Sequence, residues 1–218
     1  MKQDPSSWEA AYRRRPTSGY GKAGHHPRAP SLARLFGEQG VSSILDLGCG
    51  DGGNLIFFAR RGFTVSGLDY APTALRLARE WLAREGLECD LRHGDMQDLP
   101  WSQDSFDAVI SVRVINHNTA AGVEATIAEV ARVLRPGGYF FATVARHPPP
   151  EKWFEREPVE IEPRTYVPAL GHDKGVPHHY FTEEELGRLL GHFELIDLGG
   201  ERGIEFLARK PERPAPGD

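Results

Sequence analysis

Cysteine is almost missing from this chain: Cys49 and Cys89 are the only two in 218 residues, and nothing about their spacing suggests a ligand set. That speaks against a disulfide framework and against a thiolate zinc cluster, and a reducing cytoplasm is the expected compartment. Long apolar runs are missing too, with none near the roughly 20 residues of a membrane-spanning helix. The first residues, Met1-Lys2-Gln3-Asp4-Pro5-Ser6, lack the apolar centre of a signal peptide. Positive charge is in deficit, 26 Lys and Arg against 31 Asp and Glu, which argues against broad binding along a phosphate backbone. No internal repeat is evident. What remains is 39% hydrophobic and 26% charged, over a length that suits one domain with a substantial core.

The stretch that organises the rest is Ile44-Leu45-Asp46-Leu47-Gly48-Cys49-Gly50-Asp51-Gly52-Gly53-Asn54, followed by the helix-like Leu55-Ile56-Phe57-Phe58-Ala59-Arg60. Strand, glycine turn and helix start make the opening of a Rossmann-like nucleotide site. The glycines let a ligand lie against bare backbone, and the new helix leaves N–H groups unpaired at its start. Gly48, Gly50 and Gly53 satisfy the G-x-G-x-x-G of dinucleotide sites. Gly48, Gly50 and Gly52 equally satisfy the D-x-G-x-G-x-G of S-adenosylmethionine sites. Asp46 separates the two: it would face a pyrophosphate with like charge, whereas the ammonium and sulfonium of S-adenosylmethionine suit a carboxylate. The plain alternative is that Asp46 only caps the turn.

A second strand, Phe63 to Leu68, ends at Asp69, and Pro72 starts a helix through Glu85. An acid at that strand end contacts ribose hydroxyls in NAD and S-adenosylmethionine sites alike, and a carboxylate accepts from both hydroxyls. Leu87 to His93 reads as a third strand running into Gly94-Asp95-Met96, an acid placed to accept from an adenine amino group with a thioether for the ring. A fourth strand, Ala108 to Val112, opens onto Arg113-Val114-Ile115-Asn116-His117-Asn118 at the crevice where ligands bind in doubly wound sheets. There Asn116 or His117 is placed to meet an acceptor and His117 to act as a base, a structural histidine being the alternative. The Asn/Asp-Pro-Pro-aromatic tetrad of nucleic-acid amino-methyltransferases is replaced by Ser111-Val112-Arg113-Val114. A helix from about Ala121 to Leu134 carries Val123, Ile127, Val130 and Leu134 at helical spacing. Arg135-Pro136-Gly137-Gly138 is expected to stop it and lead into a fifth strand, Tyr139 to Val144.

Before this unit, Ser7 to Tyr12 is a short helix with Trp8 and Tyr12 on one face, followed by Arg13-Arg14-Arg15-Pro16 and Gly19-Tyr20-Gly21. Residues 1–40 are therefore expected to cover the cofactor site, either as a closing flap or as an arm packing its aromatics on the body. Ser31 is the expected cap of a helix from Leu32 to Gln39. The main domain spans 41–209. Within it, 147–181 is proline- and aromatic-rich and irregular, which predicts a lid over the acceptor site. Thr182-Glu183-Glu184-Glu185 resembles a capping box. Phe193 to Ile196 and Ile204 to Leu207 follow as a terminal hairpin, and 210–218 reads as a flexible tail.

Asp46-Leu47-Gly48-Cys49-Gly50-Asp51-Gly52, Asp69, Gly94-Asp95-Met96, Phe106-Asp107-Ala108-Val109 and Leu134-Arg135-Pro136-Gly137-Gly138, in this order, resemble a class I S-adenosylmethionine-dependent methyltransferase of the type 11/25-like kind over roughly Ile44 to Arg146. The resemblance implies an α/β, three-layer, Rossmann-like doubly wound sheet of seven strands, mostly parallel, with the last strand antiparallel. It implies S-adenosyl-L-methionine as cofactor, with S-adenosyl-L-homocysteine as product. The glycine turn and Asp46 would hold the methionine moiety, Asp69 the ribose, and Asp95 with Met96 the adenine. The expected cofactor contacts are Tyr12, Tyr20, Asp46, Gly48, Cys49, Gly50, Asn54, Asp69, Tyr70, Asp95, Met96 and Ser111. The late elements look similar to small-molecule and tellurite-resistance-type members, while two cysteines speak against the arsenic-methylating branch. The expected activity is in-line methyl transfer to an oxygen, nitrogen or chalcogen of a small molecule, by a monomer or homodimer, with no metal, nucleic acid or membrane involved. A base is needed only if the acceptor arrives protonated, and His117, His178 and His179 are the candidates. The rival readings are a non-catalytic S-adenosylmethionine-binding regulator, a protein methyltransferase, and an NAD-dependent oxidoreductase, the last weakened by Asp46 and by the missing Tyr-x-x-x-Lys dyad.

Overall fold

The computed structural model describes residues 6–14, 24–201 and 203–213. Two helices, α1 (Ser6–Arg13) and α2 (Ala29–Glu38), precede an alternation of strands and helices: β1 (Ser43–Leu47), α3 (Gly53–Ala59), β2 (Thr64–Asp69), α4 (Pro72–Glu85), β3 (Asp90–His93), β4 (Phe106–Val112), α5 (Ala120–Val133) and β5 (Leu134–Val144). A small unit follows, with a 3-10 helix at Glu151–Arg156 and strands β6 (Pro158–Glu162), β7 (Thr165–Pro168) and β8 (His178–His179). Then come α6 (Glu183–Leu189) and the hairpin β9 (Glu194–Gly199) and β10 (Ile204–Arg209).

The main sheet has the order β3-β2-β1-β4-β5-β10-β9. Strands β1 to β5 pair in parallel, and β10, the last in the chain, runs antiparallel to both β5 and β9. The central strands are apolar on both faces because helices cover both. Successive residues alternate between two cores, as the period-2 pleat requires. Leu45, Val109, Phe140 and Phe206 belong to one cluster together with Val123, Ile127 and Val130 of α5. Ile44, Ile110, Phe141 and Leu207 belong to the other, with Phe36 of α2 and Phe57 and Phe58 of α3. Strand order reverses between β1 and β4, so a crevice opens beyond their carboxyl ends. Among the described residues no helix is long and apolar enough to cross a membrane.

Four sequence-based expectations change. Helix α2 starts at Ala29 with Pro30 in its first turn, and the Ser31 hydroxyl donates back to the Arg28 carbonyl (2.8 Å) rather than capping the helix. Strand β3 is four residues long, beginning at Asp90 rather than Leu87. Arg135-Pro136-Gly137-Gly138 does not separate helix from strand. Leu134 is already extended, and the motif lies inside β5 with Gly137 at φ +77 and the Arg209 Nε–H donating to its carbonyl (3.0 Å). Finally, the 147–181 segment is not irregular, because β6, β7 and β8 form a separate antiparallel sheet. Its strands are short, and the β6–β7 turn places Arg164 at φ +63, where a glycine or asparagine is the usual signal.

Candidate active site

Asp46 sits at the end of β1 and is 2% exposed. The Asn54 side chain, from the first turn of α3, bonds to it, yet Oδ2 is buried with no partner. Burial, and then the charge of Asp69, push its pKa up to about 7. The turn beyond it is held by the Gly48 and Cys49 N–H groups, which both donate to the Leu68 carbonyl (2.8 and 3.0 Å) and tie β1 to the end of β2. Gly48 takes φ +74 and Gly50 φ +56, and a Cβ on Gly48 would collide with Val114. A Cβ on Gly50 would come 2.5 Å from the Tyr12 hydroxyl oxygen. Asp69 is oriented by backbone: its two oxygens accept from the N–H groups of Gly50 and Ala71 (2.8 Å each), against a burial that raises its pKa. Each oxygen retains a lone pair for a further donor. Asp95 accepts from the Gln97 N–H (2.9 Å), Met96 packs in the core beside it, and the Tyr70 ring lies edge-on to His93.

Two expected cofactor contacts have their side chains elsewhere. Ser111 is fully buried and its hydroxyl donates to the Leu47 carbonyl (3.1 Å), bracing β4 to the end of β1. Cys49 points its sulfur at Gly67, in the core, and burial raises its thiol pKa well above the ordinary range, so only its backbone faces the turn. Tyr20 lies outside the described residues.

Helix α1 roofs the site. Its Tyr12 meets Gly50, and Trp8, one turn earlier, packs against His117 (ring centroids 4.7 Å). The latch is Glu9. Helix α4 has Ala71 at its N-cap position with no side-chain cap, and Glu9 supplies one 64 residues from Thr73, accepting from the Thr73 N–H (2.9 Å) and hydroxyl (2.7 Å). Glu9→Ala is expected to lower the thermal midpoint by a few degrees, about 1 kcal/mol for a lost cap. It should also weaken binding of the donor analogue S-adenosylhomocysteine, measured by calorimetry.

The three candidate histidines separate cleanly. His179 is 1% exposed, with Nδ1 2.7 Å from the Thr165 hydroxyl and Nε2 3.2 Å from Glu185. Both ring nitrogens are engaged, so His179 is a clamp and not a base. Glu185 also takes the Arg164 guanidinium (2.7 and 3.2 Å) and accepts through neither oxygen from Thr182, so the expected capping box is half formed, by the Thr182 hydroxyl on the Glu185 N–H alone. Glu185→Ala would leave His179 and Arg164 unpaired, and is expected to cost roughly 1–3 kcal/mol, reduced by the partial exposure of Arg164; urea denaturation measures it.

His178 is 5% exposed, with Nε2 3.1 Å from Asp173, and a single Nη1 of Arg156 lies 2.6 Å from both oxygens of that aspartate. Burial lowers the His178 pKa while Asp173 pulls it up. The ring packs against His117 (4.6 Å) and Trp153 (4.5 Å). Burial holds His117 down to about 3, so it is neutral, and it bonds to the Arg113 backbone. Arg113 takes φ +55, pinned by its N–H donating to the carbonyl and hydroxyl of Thr143 (3.0 and 2.9 Å). Besides Asp46 Oδ2, the crevice holds buried polar atoms without a protein partner on Asn116, Asn118, His147 and Trp153. Buried polar groups are normally bonded, so these atoms mark where a ligand belongs. Asp46, Asp69 and Asp95 thus stand at the ends of three adjacent strands, and among the described residues no cation pairs the first, which fits a cofactor carrying an ammonium. Among the described residues no group of three or more His, Cys, Asp and Glu is placed to hold a metal. A hollow lined by Gln39, Asp107, Arg135 and Tyr139 lies at the opposite ends of the strands, where Asp107 is committed to Ser42, Ser43 and Arg135.

Glu9, Arg156 and Asp173 were not singled out by sequence. Glu9 meets its partner across 64 residues, and Asp173 and His178 are five apart in a segment with no periodicity to align them.

A left-handed glycine turn and successive strand-end acids in a seven-stranded sheet define a nucleoside-binding site of the Rossmann-like class. Residues 44–138 match the family described as Methyltransferase domain. Among curated proteins, a fatty-acid O-methyltransferase of Mycolicibacterium smegmatis is 41% identical over 105 residues, which are 47% of this chain and 37% of that protein. A ubiquinone biosynthesis O-methyltransferase of Methylobacterium nodulans is 35% identical over 119 residues, 55% of this chain and 45% of that one. The match thus spans less than half the length of these relatives. A Methanosarcina mazei S-adenosylmethionine-dependent methyltransferase shares the fold, with a TM-score of 0.72 at 24% identity over 87% of this chain and all of that one. So does a Burkholderia thailandensis 1,6-didemethyltoxoflavin-N1-methyltransferase with bound S-adenosylhomocysteine, with a TM-score of 0.63 at 23% identity over 97% and 92%. Residues 44–138 thus match a methyltransferase domain family, and the fold is the one seen in S-adenosylmethionine-dependent methyltransferases of known structure.

Proposed function

We propose that the chain methylates a small-molecule acceptor from S-adenosylmethionine, at an oxygen. The observation that carries this reading is Asp46, a buried carboxylate with one oxygen unpartnered beside a backbone-lined turn. An ammonium meets that need, and a pyrophosphate would worsen the charge already shared with Asp69. Asp46 then holds the methionine end, Asp69 the ribose hydroxyls and Asp95 the adenine amino group, with Met96 against the ring. When bound, the sulfonium supplies an activated methyl and a neutral leaving group. The protein's task is alignment and exclusion of water, worth about 7–11 kcal/mol in well-oriented reactions. Trp8 and Tyr12 of α1 and Trp153 of the lid are the residues placed to do this. Oxygen is favoured because two relatives are named as O-methyltransferases. Calorimetry with S-adenosylhomocysteine and with NAD tests the cofactor: binding of NAD alone sinks the reading. Turnover of labelled donor against a metabolite panel distinguishes an enzyme from a regulator that binds the same cofactor.

A further inference from the structure

We propose that His178, oriented by Asp173, takes a proton from the acceptor, and that the acceptor is therefore a hydroxyl on a planar ring, a phenol or an enol, rather than a carboxylic acid. The inference rests on the methyltransferase reading and adds the substrate class to it.

The lid carries a built pair. Asp173 is 3% exposed and its Oδ2 sits 3.1 Å from His178 Nε2, an ion-pair contact off the line of a hydrogen bond; with Nε2 turned to the carboxylate, Nδ1 is the nitrogen left to take a proton. Arg156 fixes the aspartate from the other side and lies over the Trp153 ring, 4.9 Å from its centroid. A carboxylic acid ionises near pH 4 and arrives as the nucleophile, whereas a phenol, at about 10, arrives protonated and needs a base. A base is needed only in the second case. The surroundings are aromatic: Trp153 and His117 pack on the His178 ring at 4.5 and 4.6 Å, and Trp8 packs on His117 at 4.7 Å, surfaces that suit a flat ring beside them. Three arginines of the lid and its hinge are already taken, Arg156 by Asp173, Arg164 by Glu185 and Arg146 by Glu183, while Lys152 and Lys174 are exposed on its outer surface. Arg113, exposed at the mouth of the crevice, is where a carboxylate would go, so carboxylic acids form the opposing arm of the test.

The step balances without a further reactant. The hydroxyl proton passes to His178 Nδ1, the O–H pair stays on oxygen and forms the new C–O bond, and the broken C–S pair leaves with sulfur. Asp173 stabilises the imidazolium, which then releases its proton to solvent. The charged or titratable groups facing His178 are Asp173, Arg156, His172 and His117.

The experiment uses the full chain, His178→Gln and Asp173→Asn, with catechol, 4-nitrophenol and octanoic acid as probes. Donor-site integrity is read by S-adenosylhomocysteine calorimetry. Its absence in the wild type would defeat the methyltransferase reading; its presence in all three proteins isolates the present question. His178→Gln is expected to cut catechol methylation by about a hundredfold to ten-thousandfold. Nitrophenol methylation should fall by less than tenfold, because that ring is ionised at neutral pH. Asp173→Asn makes a weaker base, so the rising limb of the pH profile should move to lower pH and the plateau should drop. Independently of turnover, the absorbance of nitrophenol added to protein saturated with S-adenosylhomocysteine should show more phenolate than free dye at pH 6, and His178→Gln should abolish the excess. Preferential methylation of octanoic acid, equal loss with every acceptor, or no phenol binding at all would each overturn the proposal.

Discussion

Asp46→Asn is expected to reduce affinity for S-adenosylhomocysteine by more than about a hundredfold, the loss of roughly 3 kcal/mol or more that follows when one member of a buried charge pair is removed. The same substitution should make the cofactor-free protein more stable at pH 8. Burial first and the Asp69 charge second raise the Asp46 pKa from 3.8 to about 7. The folded state therefore binds a proton that the unfolded chain has released, throughout the interval between those values. Stability of the cofactor-free protein falls as pH rises from about 4 to 7, and the cost is complete above 7. A shift of about 3 pH units at ~1.4 kcal/mol per unit sets an upper bound near 4 kcal/mol, of which Asp46→Asn should recover a large part. Denaturant titrations of both proteins at pH 5 and pH 8 measure this. At pH 5 the variant should lead by less than half of the difference reached at pH 8. Wild-type affinity should rise with pH by up to tenfold per unit below 7 and level off above it, because the ammonium needs the ionised carboxylate. A flat wild-type profile, with the variant less stable at pH 8, would show Asp46 to be an ordinary turn cap.

Gly48→Ala is expected to be strongly damaging, because conformation and packing both oppose it. An L-residue at φ +74 costs about 1–2 kcal/mol, and here the added Cβ also meets the Val114 side chain across the turn. Overpacking adds roughly 1–3 kcal/mol, so the midpoint should fall by about 5–15 °C. Any relief must move the turn whose N–H groups hold the Leu68 carbonyl, so donor binding should be lost as well. Gly62→Ala is the control: Gly62 has φ +84 and nothing within 4 Å of the added atom. It should show the conformational cost alone, about 1 kcal/mol, with binding intact. Adding Val114→Ala to Gly48→Ala should recover the steric part and leave the rest. Equal midpoints for the two glycine variants would mean that the Val114 contact yields freely.

Much of the proposed donor site was legible because its signals are local. Asp46, Asp69 and Asp95 each follow an apolar run directly, and a strand that ends at the crevice presents the next side chain to it. The helix at Pro72–Glu85 was readable to the residue, with proline at its start and Gly86 at φ +66 after its end. Reading failed where conformation departed from local preference. Arg135-Pro136-Gly137-Gly138 looks like a helix stop, yet pairing of Tyr139 to Val144 with both β4 and β10 extends the strand through it. Ser111, one residue before the end of β4, was expected among the cofactor contacts, and the neighbouring strand offers its hydroxyl the Leu47 carbonyl at 3.1 Å.

The histidines show where the division lies. Sequence alone established a doubly wound sheet with a glycine turn and strand-end acids at its crevice, since hydrophobic period, glycine spacing and strand ends all act within a few residues. It placed His178 and His179 side by side and offered no means of telling them apart. Adjacent residues of a strand face opposite ways, so β8 turns His179 to Thr165 and Glu185, where it is spent on packing, and His178 to Asp173 and the aromatic crevice. That choice depends on which surfaces the lid sheet meets, and only the tertiary fold decided it.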